Sequence, residues 1–332
     1  MQKFLIIQTA FIGDVVLATV LIEKLHDQFP DAQIDFLLRK GNEQLLTGHP
    51  FLHEILIWDK KQHKQENLFR MLKRIRRNKY DKVINVQRFF ATGVLTAFSG
   101  AKETIGFDKN PLSVLFTKRI KHQVGGDQSV HETIRNLALI KKFTDDSKYK
   151  PKLYPSAADF NAVDVWAHSA FITVSPASVW FTKQFPPSQW NTFIRNIPAG
   201  FTIYLLGGPG DVALCESIRE SCNRHDLKVL AGALTFLQSA ALMSRASMNY
   251  VNDSAPLHFA SAMNAPVTAI YCSTVPAFGF GPLSDIRHVV EIDHPLYCRP
   301  CGLHGYAACP EGHFKCALEI KQEQLIKTLP QI

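Results

Sequence analysis

Four short segments of this chain carry side chains that could do chemistry, and each follows an apolar run typical of a β-strand. They combine acidic, basic or hydroxyl side chains with glycine or proline. Ligands of open α/β sheets bind outside the carboxyl ends of the strands, so these segments are where a site is expected. In chain order they are residues 9–14 (TAFIGD), 175–183 (SPASVWFTK), 207–211 (GGPGD) and 252–258 (NDSAPLH).

The first segment offers a candidate general base. Gly13 allows a tight turn, and Asp14 falls in the first turn of a predicted helix, where its charge complements the helix dipole. The spacing alone leaves two interpretations open: Asp14 is a catalytic carboxylate, or it only favours the start of the helix. The segment does not match G-x-G-x-x-G, which argues against a dinucleotide-dependent dehydrogenase.

The other three segments fit a phosphorylated ligand. Asp253 or Ser254 can cap a helix that begins near Pro256, and a helix start at a strand end can bind phosphate. Lys183 stands in a stretch poor in charge and could neutralise a diphosphate, although a solvated surface lysine is the plainer interpretation. The glycine turn before Asp211 lets backbone approach a ligand, or simply connects two elements.

Two further features need an explanation. Residues 60–79 hold nine Lys and Arg against one Glu, with apolar residues at helical spacing, which predicts an amphipathic helix with a basic face. That face is either solvated or docks on a membrane surface; no nucleic-acid motif accompanies it. The spacing Cys298-x2-Cys301-x7-Cys309-x6-Cys316 leaves three alternatives open: a structural zinc or iron–sulfur site, free thiols, or disulfides.

Composition limits the class of protein. The 332 residues are 46% hydrophobic and 20% charged, which is ordinary for a globular protein of about two domains. We infer neither an export signal nor a transmembrane helix, and we expect a cytoplasmic protein. Residues 1–150 hold 25 Lys and Arg against 16 Asp and Glu, whereas residues 151–332 hold 12 against 13. The net charges of +9 and −1 predict an anionic partner for the first half.

Strand and helix patterns alternate along the chain, which predicts parallel sheets covered on both faces. The predicted strands are 3–8, 33–38, 54–58, 82–86, 171–175, 202–206, 228–230, 248–251 and 267–271. The predicted helices are 14–28, 65–78, 130–143, 187–196, 212–223, 236–245 and 318–329. We therefore expect two doubly wound domains, residues 1–155 and 156–332, with the seam in the polar stretch 145–158.

The four segments, in this order, resemble the ADP-heptose:lipopolysaccharide heptosyltransferases of glycosyltransferase family 9. The resemblance covers nearly the whole chain. Its most specific parts are FLIIQTAFIGDVVLATVLIEKL at the start, NDSAPLHFASAMNAPVTAIYCSTVP from residue 252, and CRPCGLHGYAACPEGHFKCALEI from residue 298. The resemblance implies a GT-B fold, in which two Rossmann-like domains face each other across a cleft. It also implies inverting, metal-independent transfer of a heptose from an ADP-sugar to an anionic acceptor of the lipopolysaccharide inner core.

The resemblance also implies roles for individual residues. Asp14 matches the family's base, and Lys183 matches the lysine that binds the donor diphosphate. The remaining donor-binding residues would be Ser178, Gly208, Asp211 near the ribose, Leu234 on the adenine, Asp253, Ser254, Ala255 and His258. Ala255 departs from the glycine that the family usually has. For the acceptor, the expected contacts are Thr9, Gly13, Arg88, Lys118 and Lys121.

The expected partners are an ADP-sugar, a lipopolysaccharide precursor and, peripherally, the inner membrane; nucleic acid is not expected. Catalysis should need no cofactor, and the cysteines leave a structural zinc as one alternative. Two other functions compete with this interpretation. One is a different GT-B nucleotide-sugar enzyme, such as an epimerase, and the other is a non-catalytic protein that binds anionic glycolipid.

Overall fold

A computed structural model describes residues 1–124 and 130–331 of the chain. In these residues the strands form two six-stranded sheets, and every strand pair is parallel. The chain divides into two compact units, Met1–Tyr154 and Pro155–Ile332, each with one of the sheets. This division lies one residue before the boundary expected from the sequence.

The first unit contains strands β1 to β6 and helices α1 to α4. The strands are β1 Lys3–Ile7, β2 Gln33–Arg39, β3 Glu54–Trp58, β4 Lys82–Asn85, β5 Glu103–Phe107 and β6 Lys118–Ile120. The helices are α1 Ile12–Gln28, α2 Lys64–Asn78, α3 Phe90–Ala97 and α4 Glu132–Ala138. The strands lie in the order β3-β2-β1-β4-β5-β6.

Alternate residues of β1 identify the two covered faces of this sheet. Leu5 and Ile7 pack in a cluster with Met71 and Ile75 of α2. Phe4, which points to the other face, contacts the rings of Phe29, at the end of α1, and Phe143, which follows α4. The strand is apolar on both faces because helices cover both faces, as expected for a parallel sheet.

The second unit contains strands β7 to β12 and helices α5 to α11. The strands are β7 Phe171–Ser175, β8 Thr202–Leu205, β9 Leu227–Val229, β10 Met248–Asn252, β11 Val267–Tyr271 and β12 Arg287–Glu291. The helices are α5 Ala157–Val163, α6 Pro187–Arg195, α7 Val212–Cys222, α8 Phe236–Arg245, α9 Ala255–Ala262, α10 Lys315–Leu318 and α11 Gln322–Ile326. The strand order is β12-β11-β10-β7-β8-β9.

The two sheets have the same topology. In each unit, the first three strands run outward to one side of the sheet and the next three to the other, which is the strand order of a Rossmann fold. The chain reverses direction across the sheet between β1 and β4 in the first unit and between β7 and β10 in the second. These switch points are where ligands bind in such sheets. The predicted fold class, two doubly wound Rossmann-like α/β domains, is confirmed.

Some predicted elements differ from the structure. Three strands that the sequence did not predict, β5, β6 and β12, complete the sheets, and α3 and α5 were also missed. The helix predicted over 318–329 is wrong: two short helices, α10 and α11, lie on either side of Glu319–Lys321. The helix predicted over 130–143 is real but shorter, since α4 ends at Ala138. Among the helices of the described residues, none is both long and apolar enough to cross a bilayer.

Candidate active site

The loop after β1 determines the position of Asp14. This strand ends at Ile7 and α1 begins at Ile12, so Gly13 and Asp14 are the second and third residues of the helix. The Asp14 carboxylate accepts a hydrogen bond from the backbone N–H of Phe11 at 3.2 Å. Asp14 is half-buried. It therefore caps the first turn of α1 and lies at the carboxyl edge of the sheet.

Polar side chains join the loops at this edge, and the sequence analysis missed the roles of Gln87 and Asn110 among them. The hydroxyl of Thr9 donates to Oε1 of Gln87, which follows β4, at 2.6 Å. Nδ2 of Asn110, which follows β5, donates to the carbonyls of Gln87 and Phe89, both at 3.1 Å. Nζ of Lys60, which follows β3, donates to the Thr9 carbonyl at 3.1 Å. The loops of four strands are thus held in one arrangement around the β1/β4 switch point.

A buried ion pair lies near Asp14 in the first unit. Burial raises the pKa of the Glu132 carboxyl; Arg135, which pairs with it at 2.6 Å, opposes this shift, and the charge on Asp14 adds to it. Arg88 follows β4, is exposed and also lowers the pKa of Glu132. Burial lowers the pKa of His122 to about 4, so its ring is neutral at neutral pH. The sequence analysis singled out Asp14 and Arg88 but not the buried pair beside them.

The two predicted acceptor lysines have different positions. Lys118 is the first residue of β6 and pairs with Glu103, the first residue of β5, which Lys82 also contacts at 2.8 Å. In the register of the two strands Lys118 lies opposite Ile105, and its side chain reaches back to Glu103 at the amino end of β5, away from the edge that carries Asp14. Lys121 is exposed just past the carboxyl end of β6, three strands or about 14 Å from β1. Thr9, Gly13, Arg88 and Lys121 therefore share an edge that Lys118 does not.

The switch point of the second unit holds a nearly buried ion pair. Nζ of Lys183, after β7, lies 2.7 Å from Oδ2 of Asp253, after β10, and their side chains are 15% and 9% exposed. The hydroxyl of Thr274, after β11, donates to the same carboxylate oxygen at 2.7 Å. The sequence analysis identified Lys183 and Asp253 separately, and the structure brings them together.

Asn252 fixes the two loops on which this pair depends. Its Nδ2 donates to the carbonyl of Pro176 at 2.7 Å, and its Oδ1 accepts the backbone N–H of Phe185 at 3.0 Å. Asn252 is fully buried, so these hydrogen bonds satisfy polar atoms that would otherwise be costly to bury. The loops before and after Lys183 are therefore tied to the end of β10.

Helix α9 begins directly behind Asp253. Ser254 is its N-cap residue, but the hydroxyl donates back to the carbonyl of Asn252 at 3.4 Å and does not cap the helix. Ala255 and Pro256 form the first turn, and His258 is buried one turn inside. The positive end of this helix thus lies at the switch point, where it favours an anion.

The remaining predicted donor residues lie in the loops after β7, β8 and β9. Asp211 accepts the backbone N–H of Gly208 at 2.8 Å in the turn after β8. A Cβ on Gly207 would lie 2.7 Å from Cβ of Asp211, so only glycine fits that position. Leu234 is half-buried after β9. Ser178 is half-buried in the loop after β7, and its carbonyl accepts Nε2 of Gln184 at 2.7 Å.

The cysteine-rich segment packs against Lys183 and the residue before it, Thr182. The hydroxyl of Thr182 accepts the backbone N–H of Tyr306 at 2.8 Å, and the N–H of Thr182 donates to the Tyr306 carbonyl at 3.1 Å. Gly305 has a φ of +77°, and a Cβ there would lie 2.8 Å from the Thr182 hydroxyl and 3.1 Å from Cγ of Lys183. Nothing in the sequence pattern indicated this contact.

The four cysteines themselves are free thiols in the structure: Cys298, Cys301, Cys309 and Cys316. Burial raises the pKa of Cys316 to about 12, and Cys301 and Cys309 add to the shift, so these groups are close neighbours. Within residues 1–124 and 130–331, however, no three or more His, Cys, Asp or Glu side chains form a group suited to a metal ion. The structure therefore does not support the zinc alternative, which stays a prediction.

Comparison with known proteins places these two candidate sites in a family. The family model described as glycosyltransferase family 9 (heptosyltransferase) matches residues 68–303, well over half of the chain. The chain belongs to glycosyltransferase family 9. It is accordingly a glycosyltransferase, as expected from the sequence.

Relatives and solved structures of the family agree with this assignment. Lipopolysaccharide heptosyltransferase 3 of Escherichia coli is 27% identical over 277 residues, which are 80% of this chain and 82% of that protein. The E. coli ADP-heptose lipopolysaccharide heptosyltransferase II structure has a TM-score of 0.80 at 19% identity, covering 98% and 97% of the two chains. The family 9 glycosyltransferase of Veillonella parvula has a TM-score of 0.84 at 21% identity, covering 98% and 96%. These likenesses confirm the GT-B fold class.

The strand order of the second sheet arranges the predicted donor residues in a row. In the second sheet β9, β8, β7 and β10 are consecutive neighbours, and the loops after them carry Leu234, Asp211, Lys183 and Asp253 respectively. The first and last of these strands are about 14 Å apart. A ligand lying along this edge would meet an apolar side chain, then a carboxylate, then an ion pair next to a helix start.

Proposed function

We propose that this glycosyltransferase transfers a heptose from ADP-heptose to an anionic sugar of a lipopolysaccharide precursor, with inversion and without a metal ion. One observation carries the donor assignment: the order of groups along the carboxyl edge of the second sheet. It corresponds to the chemical order of base, ribose and diphosphate in ADP. The names of the relatives, which are lipopolysaccharide heptosyltransferases, support the heptose and the acceptor class.

The donor would bind with its adenine on Leu234 and its ribose hydroxyls near Asp211. Its diphosphate would lie against Lys183 and the start of α9, with Ser178, Gly208, Ser254, Ala255 and His258 lining the rest. Lys183 already has one partner in Asp253, but an ammonium group has three N–H donors and can bridge a carboxylate and a phosphate. The ammonium and the helix end would stabilise the charge that develops on the leaving ADP.

The reaction would be a single displacement. The acceptor hydroxyl oxygen forms a bond to the anomeric carbon while the bond from that carbon to the diphosphate oxygen breaks. Asp14 accepts the hydroxyl proton, and ADP leaves with the electron pair. Thr9, Gly13, Arg88 and Lys121 are the proposed acceptor contacts, because they share the carboxyl edge with Asp14; Lys118 is left out. An enzyme that meets a lipid-linked acceptor in this way would act in the cytoplasm at the inner face of the inner membrane.

A donor and acceptor screen tests the proposal. We expect ADP-heptose, and not UDP- or GDP-sugars, to raise the melting temperature of the chain and to be consumed only when a heptose-deficient lipopolysaccharide acceptor is added. Product analysis should show an inverted anomeric configuration, and excess EDTA should leave the rate unchanged. Conversion of the nucleotide sugar without an acceptor would favour an epimerase. Absence of any shift with a nucleotide would favour a non-catalytic binding protein.

A further inference from the structure

Helix α3 has an unusual surface. None of its eight residues, FATGVLTA, is charged, although one side of the helix is open to solvent. Phe90, its first residue, is 60% exposed, and Phe98, which caps its carboxyl end, is 48% exposed. Val94 lies between them and is half-buried. A surface helix ordinarily directs polar residues outward, so this apolar stripe needs a partner.

The neighbouring helix α2 continues this surface with positive charge. Phe69 is 67% exposed, and Lys73 and Arg76 follow it at i+4 and i+7, which puts all three on the same side of α2. Nη1 of Arg76 donates to the carbonyl of Phe98 at 3.3 Å, so this side of α2 adjoins the end of α3. Exposed Arg77 follows Lys73 at i+4. We call the surface formed by Phe69, Lys73, Arg76, Arg77, Phe90 and Phe98 the α2–α3 face.

The chain segment that contains α2 has a strongly unbalanced charge. Residues 60–79 carry nine Lys and Arg and one Glu, a net charge of +8. Some of these cations have carboxylate partners, since Arg70 pairs with Glu66 and Arg74 pairs with Glu54. Exposed Lys73 and Arg77 extend the positive charge along the helix. Separated phenylalanines among lysines and arginines are typical of helices that lie in the headgroup region of anionic membranes.

We propose that the α2–α3 face docks the first unit on a bilayer of anionic phospholipids. The phenylalanine rings would enter the boundary between headgroups and acyl chains, and the cations would contact lipid phosphates. The inference rests on the proposed function for its setting, because it identifies the surface by which the enzyme reaches a lipid-linked acceptor.

The position of the face within the first unit suits this purpose. Arg88 and Phe89 immediately precede α3, and Phe89 is exposed like Phe90. The amino end of α3 therefore borders the loops that contain the candidate acceptor residues. A sugar headgroup that projects from the bilayer beside Phe90 would reach that edge of the sheet without leaving the membrane surface.

Vesicle sedimentation with the full-length chain tests the docking. We expect the protein to sediment with vesicles of phosphatidylcholine and phosphatidylglycerol but not with phosphatidylcholine alone, and to be released largely by high salt. The variant Lys73→Gln/Arg77→Gln should weaken partition about 30-fold. Each lysine or arginine near an anionic surface contributes about 1 kcal/mol to binding, and this variant removes two of them. Phe90→Ser/Phe98→Ser should weaken it about tenfold.

Two matched variants act as controls. Val165→Ser removes an exposed apolar side chain in the second unit, and Lys142→Gln removes an exposed lysine beyond α4, on the opposite side of the first sheet. Both should bind vesicles like the wild type, and the melting temperature of every variant shows whether it is folded. Equal loss of binding in the controls and in the α2–α3 variants would overturn the proposal.

Two further readouts separate this inference from the proposed function. Transfer to a soluble, delipidated acceptor should be unchanged in Phe90→Ser/Phe98→Ser, so loss of vesicle binding with intact transfer supports the docking. Transfer without vesicle binding by the wild type would overturn the docking alone, and vesicle binding without transfer would overturn the proposed function alone. A wild-type dimer that Phe90→Ser/Phe98→Ser dissolves, without vesicle binding, would assign the face to a second copy of the chain and overturn the docking.

Discussion

Lys183 and Asp253 belong to different loops, yet their charges compensate each other at 2.7 Å with little solvent access. Such a pair holds a lysine in one conformation, which lowers the entropy that binding a phosphate would otherwise cost. It also means that the two residues must be considered together. If Lys183 is removed, the Asp253 carboxylate stays buried next to the proposed diphosphate position and repels it.

We therefore predict strongly non-additive effects at this pair. Lys183→Ala should lower the free energy of unfolding by about 3 kcal/mol and weaken ADP binding at least about tenfold, because an uncompensated charge is left behind. Lys183→Ala/Asp253→Asn should recover most of the stability and part of the affinity. Chemical denaturation and calorimetric titration with ADP measure both effects.

Lys327→Ala provides the control for this comparison. Lys327 is exposed at the carboxyl end of α11 and belongs to none of the loops of the proposed donor site. That variant should keep the wild-type stability and ADP affinity. If the double variant is as unstable and as weak in ADP binding as Lys183→Ala, the compensation argument is wrong.

The sequence was sufficient to find Asp14, Lys183 and Asp253, because each follows an apolar strand and has a charge suited to the proposed reaction. It was not sufficient for Gln87 or Thr274. Their hydrogen bonds cross between loops that are far apart in the chain, so their roles depend on the order of the strands in space.

Lys118 was predicted as an acceptor contact, but the structure does not place its side chain at the expected edge of the sheet. A basic residue in a positively charged half suggested an acceptor contact. Its side chain instead reaches back to Glu103, at the amino end of β5, and so lies away from the edge that carries Asp14. The sequence pattern revealed neither this ion pair nor the three-residue strand β6 that begins at Lys118.

At the scale of elements, most buried strands and the longer helices could be predicted from the pattern, whereas β5, β6, β12, α3 and α5 could not. The buried strand β7 was predicted with its observed bounds, Phe171–Ser175, because it is a continuous apolar run ended by proline. The edge strand β12, RHVVE, is mostly exposed and gains its structure from pairing with β11. Helix α3 contains glycine and β-branched residues, so its helical form depends on packing against the sheet and α2.

The cysteine-rich segment gives a prediction about an element. Gly305→Ala should weaken ADP binding and lower kcat, because the new Cβ would press on the Thr182 hydroxyl and on Cγ of Lys183. Gly312→Ala is a matched control, since Gly312 has a similar positive φ of +70° but no atom near its would-be Cβ. Both substitutions carry the same backbone strain, of about 1 kcal/mol or more.

Kinetics and calorimetry with ADP compare the two glycine variants. If Gly305→Ala and Gly312→Ala lose the same small amount of stability and neither loses ADP affinity, the segment does not position Lys183. If only Gly305→Ala loses affinity, the segment is a positioning element of the donor site.

At the scale of the whole molecule, the two units share a strand order but differ in charge. Residues 1–150 carry a net charge of +9 and residues 151–332 a net charge of −1. The sequence predicted this repeated architecture because strand and helix patterns alternate twice along the chain. The sequence did not predict which two strands flank the switch point of each sheet, because that depends on the order of the strands in space.

This asymmetry predicts different salt dependences for the two substrates. Raising the ionic strength to about 1 M shortens the screening length to about 3 Å, which should raise KM for the anionic acceptor severalfold. KM for the donor should change much less, because its charge meets a compensated, nearly buried pair. Steady-state kinetics with a delipidated acceptor at several salt concentrations measure both. Equal changes in the two KM values would contradict the division of charge between acceptor and donor.

The central claim is that Asp14 of the first unit removes the acceptor proton while the second unit binds the donor. Asp14→Asn is the sharpest variant for this claim, because the amide oxygen can still accept the Phe11 N–H and so preserve the start of α1. Exposed Asp31 supplies the control variant Asp31→Asn, which should behave like the wild type.

The decisive measurement is kcat of Asp14→Asn together with its affinity for ADP-heptose. Loss of a general base typically lowers the rate by a factor of about 100 to 10,000, so we expect kcat to fall into that range while donor affinity and melting temperature stay at wild-type values. A wild-type kcat in this variant, with ADP-heptose bound as before, would contradict the account.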